Sequence, residues 1–196
     1  MGAIKSLSIK NLSEQNSVAY IDVKTAHVKQ LQLVNIKFSM PKESPIRDTD
    51  EEARAQAKAL IAGANFAALA FTDTSTGAPS VTRVALTRSQ LGAPMTLISD
   101  LSAHTRGLRA SPECGLLVGE PGAKGDPLTH PRLSISAEAK FVEKTEAARD
   151  HYLAQYPKAK LYFDFADFHL VEFQIRSAAL NGGFGKAYNL TPEDLA

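Results

Sequence analysis

The chain has 196 residues, and 44% of them are hydrophobic, which excludes a globally disordered polymer and leaves enough apolar mass for a sizeable core. Twenty-two Lys and Arg stand against 21 Asp and Glu, a net charge of +1 that calls for neither nucleic acid nor a membrane surface as partner. The lone cysteine, Cys114, excludes an internal disulfide framework and reads as a small buried residue on a strand.

No apolar stretch approaches the length of a membrane span, and no secretory hydrophobic region is visible. The opening "MGAIKS" has Gly2 and Ser6 where a myristoylation pattern has them, but so short a match reads as an ordinary start. The cytoplasm is the expected compartment.

Residues 1–48 read as an irregular N-terminal arm with two short alternating runs, "AYIDVK" and "LQLVNIKFSM". A domain covering residues 49–196 follows, with its boundary between Pro41 and Asp50. "EEARAQAKALIAGA" predicts a helix capped by Thr49 or Asp50, with Ala53, Ala57, Leu60 and Ile61 on one face and Gly63 as its stop.

The period then changes to that of strands. "NFAALAFTD", "VTRVALTR" and "APMTLISD" are three of them, and "SAHTRGLRASPE" is a short helix stopped near Pro112. "CGLLVGE" and "RLSISAEAKFVE" are two more strands, joined by the Gly- and Pro-rich loop "PGAKGDPLTHP". "KTEAARDHYLAQYP" is a helix closed by Pro157. "FHLVEFQIRSAAL" is the last strand, with Leu170, Glu172, Gln174 and Arg176 opposite Val171, Phe173 and Ile175. Hairpins outnumber crossovers in this order. The fold class is therefore mainly β with helices (α+β), an antiparallel barrel with helices packed outside.

Several motifs fail on inspection. "GEPGAK" lacks the spacing and the Lys-Ser/Thr pair of a phosphate-binding loop, and "GGFGKAY" lacks the third glycine of a dinucleotide fingerprint. There is no G-x-S-x-G elbow and no H-E-x-x-H. Five scattered histidines, His27, His104, His130, His151 and His169, show no metal-ligand spacing, so no metal site is expected.

What remains is a concentration of hydroxyls and guanidinium groups in "TRVALTR" and "LISDLSAHTRGL". Ser99 ends a strand, and His104, Thr105 and Arg106 open the next helix. A helix N-terminus with Arg106 and Arg83 nearby has the chemistry to hold an anion such as phosphate.

"LISDLSAHTRGLRASPECGLLV", followed by "GDPLTHPRLSISAEAKF" and "GGFGKAYNL", resembles the pyridoxamine 5′-phosphate oxidase-like family of FMN-binding split barrels. Within it, the similarity is to the haem-utilisation (HugZ-type) branch, over roughly Asp50 to Leu190. The resemblance implies a homodimer of split barrels with FMN in a cleft between subunits and a small-molecule substrate that the sequence does not identify.

Carried onto this chain, the family pattern places Arg83 on the flavin phosphate and the Val84 backbone against the ring. It makes Ser99 the strand-end hydroxyl, and aligns His104, Thr105 and Arg106 with a Ser-Arg-Lys run. Only Arg106 keeps a cation there. The flavin would supply any oxidoreductase chemistry, and no residue stands out as a general acid or base. The alternative that the branch implies is haem binding, for which His169 and His130 are the first histidines to test. The branch's C-terminal ligating histidine has no counterpart after the GGFG stretch, and the chain reads as a shortened form. Gly182, Gly183 and Gly185 read as a sharp exit from the last strand, with Phe184 packing into the barrel or the dimer seam.

Overall fold

The computed structural model describes residues 46–196. The two alternating runs of the N-terminal arm lie outside the described residues. In chain order come strand β1 (Ile46–Arg47), helix α1 (Glu51–Gly63), β2 (Phe66–Thr72), β3 (Pro79–Ala85), β4 (Thr87–Arg88) and β5 (Pro94–Ser99). Then follow α2 (Ala103–Ala110), β6 (Glu113–Val118), β7 (Arg132–Val142), α3 (Glu146–Gln155), β8 (Phe168–Asn181), β9 (Ala187–Leu190) and α4 (Pro192–Leu195).

The strands form a sheet in the order β1-β9-β8-β7-β6-β2-β3, with β5 beside β8 and β4 beside β5. Every pairing is antiparallel except that of β1 with β9. β8 spans 14 residues and is where the sheet divides. Its edge away from β7 pairs first with β5, from Phe168 to Glu172, and then with β9, from Ala178 to Asn181. A register shift between Ser136 and Ala137 marks an irregularity in the β7–β8 ladder, a feature that adds twist. The result is the mainly β, α+β antiparallel barrel that the strand order predicts, in the split form that the resemblance implies.

α1 begins where Asp50 accepts a hydrogen bond from the Ala53 amide at 2.8 Å, and it buries Ala53, Ala57 and Ile61. These meet Leu69, Val84, Leu116, Ile135 and Phe173 in the main core. Burying side chains of this size stabilises the fold by about 1.5–3 kcal/mol each. A second cluster, Met95, Leu97, Tyr152, Phe163 and Leu170, lies under α3. Among the described residues no helix is long and apolar enough to cross a membrane.

Three expectations change. Strand "VTRVALTR" is broken at Leu86 into β3 and β4. The alternation of β8 holds, with Leu170 entering the cluster under α3 and its neighbour Val171 the main core. β8 is not the last strand: "GGFG" is a hairpin turn leading into β9. Gly182 N–H donates to Lys186 O at 2.7 Å, and Lys186 N–H donates to Gly183 O at 3.1 Å. Gly183 and Gly185 have φ of 117° and 69°, which only glycine adopts readily. Finally, Phe184 at the turn's tip is 95% exposed and does not pack into its own barrel.

Candidate cofactor site

The structure gathers Ser99, His104, Thr105 and Arg106 at the junction of β5 and α2. It sets Arg83 and Val84 apart from them. On β2, Ala67, Leu69 and Phe71 face the core, and α2 packs on that side against Phe71. Arg83 pairs with Ala68, whose side chain falls on the opposite face. There the Arg83 guanidinium lies 4.8 Å from the Phe66 ring centroid and lines a cavity of about 470 Å³ with Leu60, Leu117 and Glu120. Within one chain, Arg83 and the opening of α2 are on opposite sides of the sheet.

Val84 is 5% exposed and part of the core. The Leu86 amide donates to Asn65 O at 2.9 Å, and antiparallel pairs alternate, so the Val84 pairing with Ala67 is also a hydrogen-bonded one. Its backbone therefore turns towards β2. The polar groups of Val81, Arg83 and Ala85 are the ones that face the open edge of β3.

At the β5–α2 junction the hydroxyls are engaged within the fold. Thr105 is 1% exposed, and its Oγ1 donates to Ser99 O at 2.6 Å. Ser99 Oγ donates to Asp167 Oδ2 at 2.8 Å and accepts from the Leu101 amide at 3.2 Å. The Asp100 amide donates to Asp167 O at 2.8 Å, which ties the junction to the start of β8. The Asp100 carboxylate lies 2.8 Å from His169 Nε2, a close but bent contact, and 3.5 Å from an Arg109 nitrogen. His169, and then Arg109, hold that carboxyl below the usual range. Sequence reasoning missed this network because its members, Asp100, Asp167 and His169, lie on segments that only the β5–β8 pairing joins.

Two features of α2 are open to a ligand. No side chain caps it at Ser102, so its N-terminal amides keep the affinity for anions expected of a helix start. Arg106 is exposed and makes only long contacts, 3.4 and 3.5 Å, to the carbonyls of Leu101 and Asp100.

His104 stands in the same turn, half-buried, with its ring edge-on to Phe71 at 6.0 Å between centroids. Burial lowers its pKa, so the imidazole is neutral at neutral pH. The remaining described histidines are engaged. His130 Nδ1 accepts from the Gly122 amide at 3.2 Å, and its Nε2 is 2.9 Å from Lys124 O. His151 Nε2 is 2.9 Å from Arg88 O, and His169 contacts Asp100. Cys114 is a poor nucleophile: burial, with help from Glu113, pushes its thiol up to about 12.

The sheet face that carries Arg83 continues into a shallow groove of about 770 Å³. Ala68, Ala70, Gly115, Ser134, Ser136 and Ala179 line it, all small and uncharged. Val81 and Leu117 on this face are 68% and 43% exposed.

The split antiparallel barrel is a fold that solved proteins of the pyridoxinephosphate oxidase family share. A Clostridium acetobutylicum protein of the pyridoxinephosphate oxidase family, related to general stress protein 26, superposes with a TM-score of 0.56 at 12% identity. It covers 76% of this chain and 100% of that one, and shows the fold alone.

Residues 48–195 match the family model "CREG, beta-barrel", and the chain belongs to that family. The chain is 34% identical over 116 residues to the chloroplastic non-canonical haem oxygenase HOZ of Arabidopsis thaliana, over 57% of this chain and 34% of that protein. The solved haem-binding protein from Mycobacterium smegmatis superposes with a TM-score of 0.67 at 29% identity, over 75% of this chain and 61% of that one. The match thus spans about a third of the chloroplast protein and under two thirds of the mycobacterial chain.

Proposed function

We propose that this protein binds haem on the split-barrel fold and works as a homodimer. The observation that carries the haem reading is the state of the α2 opening. The hydroxyls of Ser99 and Thr105, which would serve a flavin phosphate, are engaged within the chain. The aligned run opens instead with a neutral histidine whose ring has no hydrogen-bond partner among the described residues. The donor set fits a porphyrin: an imidazole for iron, and Arg106 with uncapped amides for propionates. Haem, when bound, supplies the redox chemistry; the chain binds and orients it. The names of the Arabidopsis and Mycobacterium proteins support the same reading.

The homodimer rests on the uncharged groove with Val81 and Leu117 exposed, a face that a second copy would cover. A second copy is also what could bring an Arg83 face and an α2 opening to one ligand.

FMN is the second reading, favoured by one observation: an uncapped helix start beside Arg106 is suited to a phosphate. The test is parallel titration of the purified full chain with haemin and with FMN, followed by absorbance and by mass spectrometry of any small molecule released as purified. A saturable Soret band with no flavin uptake is expected. Stoichiometric FMN without haem uptake would replace the first reading with the second.

A further inference from the structure

We infer that His104 is the residue of this chain that would ligate the haem iron, an assignment that rests on the haem reading above. Iron needs an imidazole nitrogen with a free lone pair that a planar macrocycle can reach. Among the described histidines, His104 is the one with neither ring nitrogen in a polar contact, whereas His151 and His169 have one nitrogen held. Both ring nitrogens of His130 are engaged by the 119–131 loop, His151 is held on Arg88 O, and His169 is held at Asp100. His104 makes only the edge contact with Phe71. That contact fixes the ring plane without occupying either nitrogen.

The surroundings suit a porphyrin. Leu101, three residues before His104, is 86% exposed, and an apolar side chain beside an imidazole gives a macrocycle face something to cover. Arg106, two residues after it, is a cation without a carboxylate partner within ion-pair distance among the described residues. The turn is rigidly placed: the Thr105 hydroxyl bond to Ser99 and the close approach of Gly107 to Phe71 hold α2 on the sheet. The ligating histidine would then stand at the start of α2.

The experiment is haemin titration of the full-length protein and of His104→Ala, read by absorbance and electron paramagnetic resonance, with and without added imidazole. The wild type is expected to give a histidine-ligated spectrum. His104→Ala should lose it, with at least a tenfold weaker affinity, and free imidazole should restore it. His130→Asn and His169→Asn should keep it. His104→Met, expected to move the spectrum to that of a thioether ligand, covers the case in which the alanine variant does not fold. A histidine-ligated spectrum unchanged in both His104 variants would overturn the assignment and leave the haem reading standing. A wild type that takes up no haemin would overturn both.

Discussion

The Thr105 hydroxyl donates to the Ser99 carbonyl at 2.6 Å from a side chain that is 1% exposed. This bond locks the first turn of α2 to the end of β5. Thr105→Val should therefore lower stability by about 1–2 kcal/mol, read as an earlier midpoint in urea denaturation. An unchanged midpoint would show that the hydroxyl does not lock the turn.

The same substitution at Thr96 should act with the opposite sign. Thr96 is fully buried on β5, and its Oγ1 has no hydrogen-bond partner among the described residues. Replacing it with valine, which keeps the shape and removes an unpaired hydroxyl, should raise stability by about 1 kcal/mol. A loss of stability on the same urea assay would point to a bound water or other partner for that hydroxyl.

Gly107 stands where α2 crosses β2. A Cβ there would meet Phe71 Cδ2 at 2.5 Å and Thr72 O at 2.6 Å, so Gly107→Ala should cost about 1–3 kcal/mol through displaced backbone. Gly63, at the end of α1, has nothing within 4 Å of its built Cβ, and Gly63→Ala should be neutral or stabilising by about 0.5–1 kcal/mol. Equal effects of the two changes on melting temperature would contradict the close approach.

His104 sets a pH dependence with a definite sign. Burial lowers its pKa below the ordinary 6.5, so between its folded and unfolded values the unfolded chain binds more protons. Stability should fall as pH drops below about 6.5. His104→Gln should flatten that part of the curve. Melting temperatures from pH 7.5 to pH 5, taken without added ligand, test this, and a slope unaltered in the variant would refute it.

The uncharged sheet face makes the last prediction. Ala179 is exposed and lines the groove proposed as the subunit interface. Sedimentation should find the wild type at twice the mass of one chain. Ala179→Arg should shift it to single chains, because a buried, unpaired guanidinium opposes association. A monomeric wild type would remove the dimer proposal.

Much of the fold was legible because its signals are local. Two acidic residues after Asp50 and the i, i+4 spacing of Ala53 and Ala57 define α1, short apolar runs locate β2, β5 and β6, and alternation locates β7. β9 was missed because "KAYNL" is short and becomes a strand only by pairing with β8 after a glycine turn. That Ser99, His104, Thr105 and Arg106 meet where a strand hands over to a helix was also legible, from their spacing. Their chemistry was not. Whether a hydroxyl is free depends on partners such as Asp167, 68 residues from Ser99.

The sequence by itself therefore determined most element types and an antiparallel barrel with helices outside, because propensity, period and helix starts act over a few residues. Only the tertiary structure decided that Arg83 and α2 lie on opposite faces of the sheet and that Thr105 turns inward. It also decided that His104, alone among the described histidines, keeps both ring nitrogens unengaged. Those outcomes follow from strand parity and from contacts between distant segments, which no local pattern encodes.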